Sequence, residues 1–278
     1  MNLSTVEASH LDIIDGVAGA LVADGQIRPE TIMLLGAECR DILHRAHGHQ
    51  FALRGTSDVD VGLAIDDWNG HDAVLSCFAA IGDTGIRYRI SGMSVDIMPF
   101  GSVEQPRGEV SPTRRIEEPL SVFAFQEVFQ ASLPLPLPSG ITIRIPSPAG
   151  YSALKLRAWR DRWTASLETK DGPDIATIVY WYYEDATVAT RLWETSEGVS
   201  LLESVEFDYP VAAAKLLGKD TIAIIGPERA SELRPLWDEL DLDELAKAFG
   251  DETLPGWPTD RATRRDVVGG LTAGLLEE

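Results

Sequence analysis

Asp58 and Asp60 are the residues whose type and spacing point most directly to chemistry. They stand in Ser57-Asp-Val-Asp-Val-Gly-Leu-Ala-Ile65, where Val59, Val61, Leu63 and Ile65 alternate with Asp58, Asp60, Gly62 and Ala64. A period of two with β-branched residues on one side predicts a strand from about Ser57. Side chains two apart share a strand face, so the two carboxylates lie side by side, about 7 Å apart along the strand. Without a cation they repel, and one tends to stay protonated. Hard divalent cations prefer oxygen ligands, commonly one or two carboxylates plus substrate phosphates. The pair is therefore a candidate site for Mg²⁺ or Mn²⁺; the alternative for Asp-x-Asp alone is a solvated strand face.

The neighbouring stretches supply further groups. Thr31–Leu35 reads as a short apolar strand, followed at Gly36-Ala37 by a helix with Ala37, Ile42, Leu43 and Ala46 as its apolar positions. Ser94–Phe100 is a second strand-like run carrying one acid, Asp96. If it lies beside the first, Asp96 becomes a third ligand, and three such acids could hold two metals across a phosphoryl-transfer centre. Farther on, a helix opening at Pro148 places Lys155, Trp159 and Arg162 on one face. Lys155 is a compact cation able to follow charge on phosphates, or else a surface lysine beside an amphipathic seam. Asp171 and Asp174 flank Gly172-Pro173 ahead of another helix, where either could cap it or serve as a distal base.

Taken together, Gly36-Ala37, Arg54-x-Thr56-x-Asp58-x-Asp60 and Val95-Asp96-Ile97 resemble the DNA polymerase β-type nucleotidyltransferase superfamily. Ala153-Leu-Lys-Leu-Arg-Ala-Trp-Arg-Asp-Arg162 and Lys170-Asp-Gly-Pro-Asp-Ile175 extend the match. Within the superfamily the chain is most similar to predicted nucleotidyltransferases of the AbiEii toxin type, over roughly residues 30 to 185. The resemblance implies metal binding by Asp58, Asp60 and Asp96, with Lys155 and Asp174 completing the catalytic set. It implies nucleotide contacts from Gly36, Ala37, Arg54, Thr56, Ser57 and Lys155. The chain departs from the usual Gly-Ser or Gly-Gly at Gly36-Ala37, which removes a hydroxyl donor to phosphate. Backbone N–H groups at a helix start still bind phosphate oxygens, and glycine permits close approach.

The activity so implied is transfer of a nucleoside monophosphate from an NTP to an acceptor hydroxyl, on RNA, a tRNA end or a protein, with release of pyrophosphate. The implied setting is a bacterial toxin–antitoxin or phage-defence system with a cognate antitoxin. Two alternatives stay open: an antibiotic-modifying nucleotidyltransferase, and a degenerate nucleotidyltransferase fold serving as a regulatory or binding module.

These groups need a scaffold, and 278 residues supply one large or two modest domains. The expected class is α/β (α+β): a nucleotidyltransferase-type mixed sheet with flanking helices over 1–147, and a helical domain over 148–278 that contributes Lys155 and Asp174. The composition change falls at Ser147-Pro148, and proline suits a first helical turn. No apolar run approaches a membrane span and the N-terminus lacks a basic signal region, so a cytoplasmic protein is expected. Cys39 and Cys77 read as buried thiols in helix-like segments. His44, His47 and His49 have spacings that do not make a helical ligand pair, and Gly48 reads as a helix stop.

Net charge is −20; residues 1–162 carry 14 basic and 20 acidic side chains, and residues 163–278 carry 10 and 24. Nucleic-acid binders normally show a basic footprint. Here positive charge gathers only over 144–162, enough for a triphosphate and weak for a tRNA-sized polyanion.

Remaining elements are expected as helices over 3–24, 69–82, 121–131, 187–194, 209–218, 228–239 and 240–249. Strands are expected over 86–90, 93–98 and 141–145, with Ser91-Gly92 as a hairpin turn. A loop is expected over 101–118, where Arg107, Arg114 and Arg115 either face a site mouth or merely solvate the loop; the tail from Gly250 is rich in Pro, Gly and Thr and shows no catalytic motif. Leu133-Pro-Leu-Pro-Leu-Pro138 can only be an edge segment, because proline cannot donate to a ladder.

Overall fold

A computed structural model describes residues 1–55, 58–112 and 119–277, with the backbone alone at 69, 70, 73 and 74. The expectations placed on Thr56, Ser57, Arg114 and Arg115 lie outside the described residues. The protein is mixed α/β, with a seven-stranded sheet, flanking helices and a helical C-terminal region. It divides into two compact units, Met1–Ser147 and Pro148–Glu278.

The strands of the first unit are β1 (Ile32–Leu35), β2 (Asp58–Ile65), β3 (Ala79–Ala80), β4 (Arg87–Ile90), β5 (Met93–Gly101), β6 (Glu109–Val110), β7 (Leu120–Ser121), β8 (Leu133–Pro136) and β9 (Thr142–Ile145). The sheet runs β3-β4-β5-β2-β1-β9-β8, while β6 and β7 form a separate ribbon. The helices are α1 (Asp12–Ala23), α2 (Gly36–Ala46), α3 (Trp68–Leu75) and α4 (Phe125–Gln130). Alternation in β2 has the expected consequence: Val59, Val61 and Leu63 are buried, and Asp58 and Asp60 are only partly so. With β1 on one side and β5 on the other, both ladder edges of β2 are paired, which fixes its carboxylates rigidly. The proline-bearing β8 sits at the sheet edge, as its missing N–H groups require.

Several expectations are corrected. The opening helix begins only at Asp12, after two short 3₁₀ turns. The helix expected over 69–82 stops at Leu75, because Ala79 and Ala80 pair with Arg89 and Tyr88 of β4. Strand pairing here overrides helical periodicity. Cys77 consequently lies in a turn and is exposed, whereas Cys39 is buried in α2 as expected. The helix expected over 121–131 starts at Phe125, behind Ala124 in a left-handed conformation.

The second unit contains α5 (Pro148–Ser166), α6 (Gly172–Glu184), α7 (Ala186–Glu194), α8 (Ser196–Ser204), α9 (Tyr209–Asp238), α10 (Leu242–Ala248) and α11 (Arg261–Leu276). The two helices expected over 209–218 and 228–239 belong to α9, interrupted at Gly226 (φ 76°, ψ 170°) ahead of Pro227. The Pro-, Gly- and Thr-rich tail from Gly250 holds α11, the main packing partner of α9. Among the described residues, no helix is long and apolar enough to cross a membrane.

Candidate active site

The chain leaves β1 at Leu35 and turns at Gly36 directly into α2. Leu35 lies opposite Asp60 across the β1–β2 ladder. Gly36 has φ +63°, and a Cβ built there would fall 1.8 Å from Asp60 Oδ2. Only glycine allows both the left-handed turn and the close passage of this carboxylate.

β2 and β5 run parallel, with Asp60 opposite Asp96 and Asp58 opposite Ser94. Residues directly paired on neighbouring strands project to the same face, so Asp58, Asp60 and Asp96 share one. The expectation about adjacent strands concerned these three acids, and the sheet brings all three together in the first unit. On the other side of β5, β4 places Arg87 opposite Asp96. Arg87 Nε donates to Asp96 Oδ1 at 2.7 Å and Nη2 to Oδ2 at 2.8 Å, a bidentate pair. The same Nη2 stands 3.2 Å from Asp58 Oδ2. Asp96 chiefly, with smaller contributions from Asp58 and Asp60, raises the Arg87 pKa above its ordinary value.

Arg87 was not among the sequence candidates, although a signal for it exists. Counting outward from Ser91-Gly92 pairs Ile90 with Met93, Arg89 with Ser94, Tyr88 with Val95 and Arg87 with Asp96, which is the observed register. Three carboxylates supply the hard oxygen donors that Mg²⁺ or Mn²⁺ takes, so the donor chemistry fits such an ion. Arg87, however, already bridges two of them. Among the described residues, no group of three or more His, Cys, Asp or Glu side chains is disposed to hold a metal ion. A cation at these acids must displace the guanidinium. Arg87→Gln is expected to tighten Mn²⁺ binding by at least about tenfold, or ~1.4 kcal/mol, read as free Mn²⁺ by electron paramagnetic resonance. Unchanged or weaker binding would show that Arg87 does not contest the site.

The other sequence candidates are placed as follows. Ala37 lies in the first turn of α2, where amides lack intrahelical acceptors and the helix dipole favours anions. Arg54 is exposed, and its carbonyl accepts from the buried Arg40 guanidinium. Arg40 Nε also donates to Asp41 Oδ1 at 2.9 Å. Arg107 pairs with Glu127 at 2.5 Å, which accounts for it as a loop-anchoring residue.

Burial, aided by Asp41, raises the Glu38 carboxyl from 4.5 to about 6. The fold thus favours its protonated form, and that contribution is present below pH 4.5 and lost as pH rises through 6. Glu38→Gln is expected to stabilise the protein by about 1–2 kcal/mol at pH 7.5 and to be neutral near pH 4, measured by urea unfolding at both values. The histidine segment ends α2 as expected. The His44 ring lies 4.9 Å from that of His49 and 4.5 Å from Phe51. Burial first, and the His49 charge second, push the His44 pKa down to about 3.

In the second unit, Lys155 lies on α5 and the acids at the start of α6. Lys155 Nζ is 2.6 Å from Asp174 Oδ2 and 3.2 Å from Asp171 Oδ1. Arg162 also pairs with Asp171, and both aspartates are almost fully buried. Asp171 occupies the N-cap position of α6 but its side chain makes no capping bond. Burial alone would lower the Lys155 pKa; the Asp174 and Asp171 charges outweigh it and leave the ammonium above its ordinary value. Asp171 therefore pairs with Lys155 and Arg162 rather than capping α6, and Asp174 pairs with Lys155.

No protein-family model, curated protein or solved structure matches this chain. The fold and the site define it as a mixed-sheet α/β protein with an acidic triad on adjacent parallel strands, followed by a helical unit.

Proposed function

We propose that this chain is a metal-dependent nucleotidyltransferase of the DNA polymerase β type, most similar to AbiEii-type toxins. The observation carrying this reading is the β2–β5 register, which sets Asp60 beside Asp96 with Asp58 on the same face. In the reaction an acceptor oxygen bonds to the α-phosphorus of an NTP and the bond to the β-phosphate oxygen breaks. Pyrophosphate leaves, and the hydroxyl proton passes to a carboxylate base. Mg²⁺ or Mn²⁺ held by Asp58, Asp60 and Asp96 would neutralise triphosphate charge and activate the acceptor hydroxyl. Gly36 lets the Asp60 carboxylate pass close to the backbone turn into α2, and the first turn of α2, with Ala37, offers amide donors. Lys155 as a phosphate-binding cation and Asp174 as its companion acid rest on the family resemblance. So do the cytoplasmic toxin–antitoxin or phage-defence setting and a cognate antitoxin. A net charge of −20 favours a protein or small-molecule acceptor over a tRNA-sized polyanion.

A second reading is favoured by Arg87, whose bridge between Asp58 and Asp96 is what a degenerate fold acting as a binding module would retain. NTP binding measured calorimetrically with Mn²⁺ separates the two. The enzyme reading expects metal-dependent binding that disappears in Asp58→Ala. Absence of metal-dependent binding in both wild type and Arg87→Gln would leave the module.

A further inference from the structure

Among the described residues, Trp193 and Phe207 are the aromatic side chains left exposed, at 51% and 54%. They are not isolated. Their rings stack with centroids 6.3 Å apart and 15° between planes. Trp193 also lies 6.4 Å from Tyr209 at 11°, so the three rings form one nearly parallel platform. Behind it, Tyr209 packs 5.6 Å from Tyr183 and its hydroxyl donates to the Tyr183 carbonyl at 3.1 Å.

The platform is held by strained backbone. Glu206 and Phe207 both have left-handed φ values, 54° and 62°, which non-glycine residues rarely adopt. The Phe207 amide donates to the Leu202 carbonyl at 2.8 Å and the Glu206 amide to Glu203 at 3.2 Å. These bonds close the C-terminus of α8 and fix the direction in which the chain presents Phe207. That direction leaves the Phe207 ring open to water, against the burial preference of aromatic groups. The surroundings are strongly acidic: residues 184–208 carry seven acids and one base, Arg191. That base is occupied by Asp220, with its Nη1 and Nη2 donating to the two carboxylate oxygens at 2.6 and 2.8 Å.

We infer that this platform docks an arginine-rich segment of a partner protein. Guanidinium planes stack on aromatic faces and gain cation–π attraction, while the acidic chain that carries the rings balances their charge and steers the approach. Single-stranded nucleic acid also stacks on aromatic rings, but it would bring phosphates to a strongly acidic stretch of chain. The inference is independent of the nucleotidyltransferase reading and uses none of its residues.

The test titrates the full chain calorimetrically with a short synthetic peptide of alternating Arg and Ser, its Lys counterpart, and an oligouridine. The Arg peptide is expected to bind more tightly than the Lys peptide, and the oligouridine not at all. Trp193→Ala with Phe207→Ala keeps the net charge and changes only exposed rings. It is expected to weaken Arg-peptide binding by at least about tenfold without altering thermal unfolding. Trp193→Ala alone should give a smaller loss in the same direction, and Glu194→Gln with Glu206→Gln should also weaken binding. Binding unaffected by the aromatic changes would assign it to diffuse acidity and overturn the inference. No peptide binding, a preference for oligouridine, or ring-dependent self-association in place of peptide binding would overturn it equally.

Discussion

Asp60→Asn and Asp96→Asn are each expected to lower nucleotidyl transfer by at least about 10³-fold, with the sheet intact. Asparagine keeps the shape of the side chain and removes the charge that a divalent ion and its bound phosphates require. The two variants differ in a useful way. Asp96 holds Arg87 in a bidentate pair, so its replacement also frees the guanidinium and should lower thermal stability modestly. Asp60 is a direct neighbour of Gly36, and Asp60→Asn leaves the Arg87–Asp96 pair in place. A loss of transfer in Asp60→Asn without a change in melting temperature separates chemistry from folding. Transfer persisting in both variants would remove these acids from the reaction.

The second large effect concerns the helical unit. Gly274→Leu is expected to destabilise it by more than about 4 kcal/mol, since overpacking and lost burial act together. α9 and α11 touch backbone to backbone. A Cβ at Gly274 would fall 2.1 Å from the Lys215 carbonyl oxygen, one at Gly218 2.5 Å from that of Leu271, and one at Gly270 2.5 Å from that of Val211. A leucine forces α11 away from α9 and exposes Val267, Val268, Leu271 and Leu275, all fully buried. Urea unfolding with helical dichroism as the signal reads the effect. Stability within about 1 kcal/mol of wild type would contradict this packing, because ordinary surface changes fall in that range.

Local pattern made parts of this architecture legible. The alternation about Asp58 and Asp60 defines β2, the prolines after Leu133 restrict β8 to an edge, and Ser91-Gly92 defines the β4–β5 hairpin. That hairpin already contains the Arg87–Asp96 pairing, which emerges only when the register is counted. What local pattern does not contain is non-local pairing. The parallel match of β2 with β5 joins segments more than thirty residues apart, and no periodicity specifies it. The same holds for Ala79-Ala80, whose pairing with β4 ended α3 early and left Cys77 exposed. In the tail, Gly269, Gly270 and Gly274 look like helix breakers. In the fold, Gly270 and Gly274 give the smooth face that lets α11 approach α9. A glycine at a helix–helix contact is favoured by the packing even though it costs about 1 kcal/mol in an isolated helix.

The pair of Lys155 with Asp171 and Asp174 shows another limit of sequence reading. Helical spacing placed the lysine on a face with Trp159 and Arg162, and Trp159 proves to be a core residue. The two acids are near neighbours in sequence to each other but not to Lys155, so their convergence depends on how α5 packs against α6.

The central claim is tested most directly by transfer from each α-³²P-labelled NTP, with Mg²⁺ or Mn²⁺, into total bacterial RNA, cell protein and the chain itself. The account predicts label in one of these fractions, lost in Asp60→Asn and Asp96→Asn, which would establish the reaction and the acceptor class together. Absence of label from every fraction, together with no metal-dependent NTP binding, would contradict it.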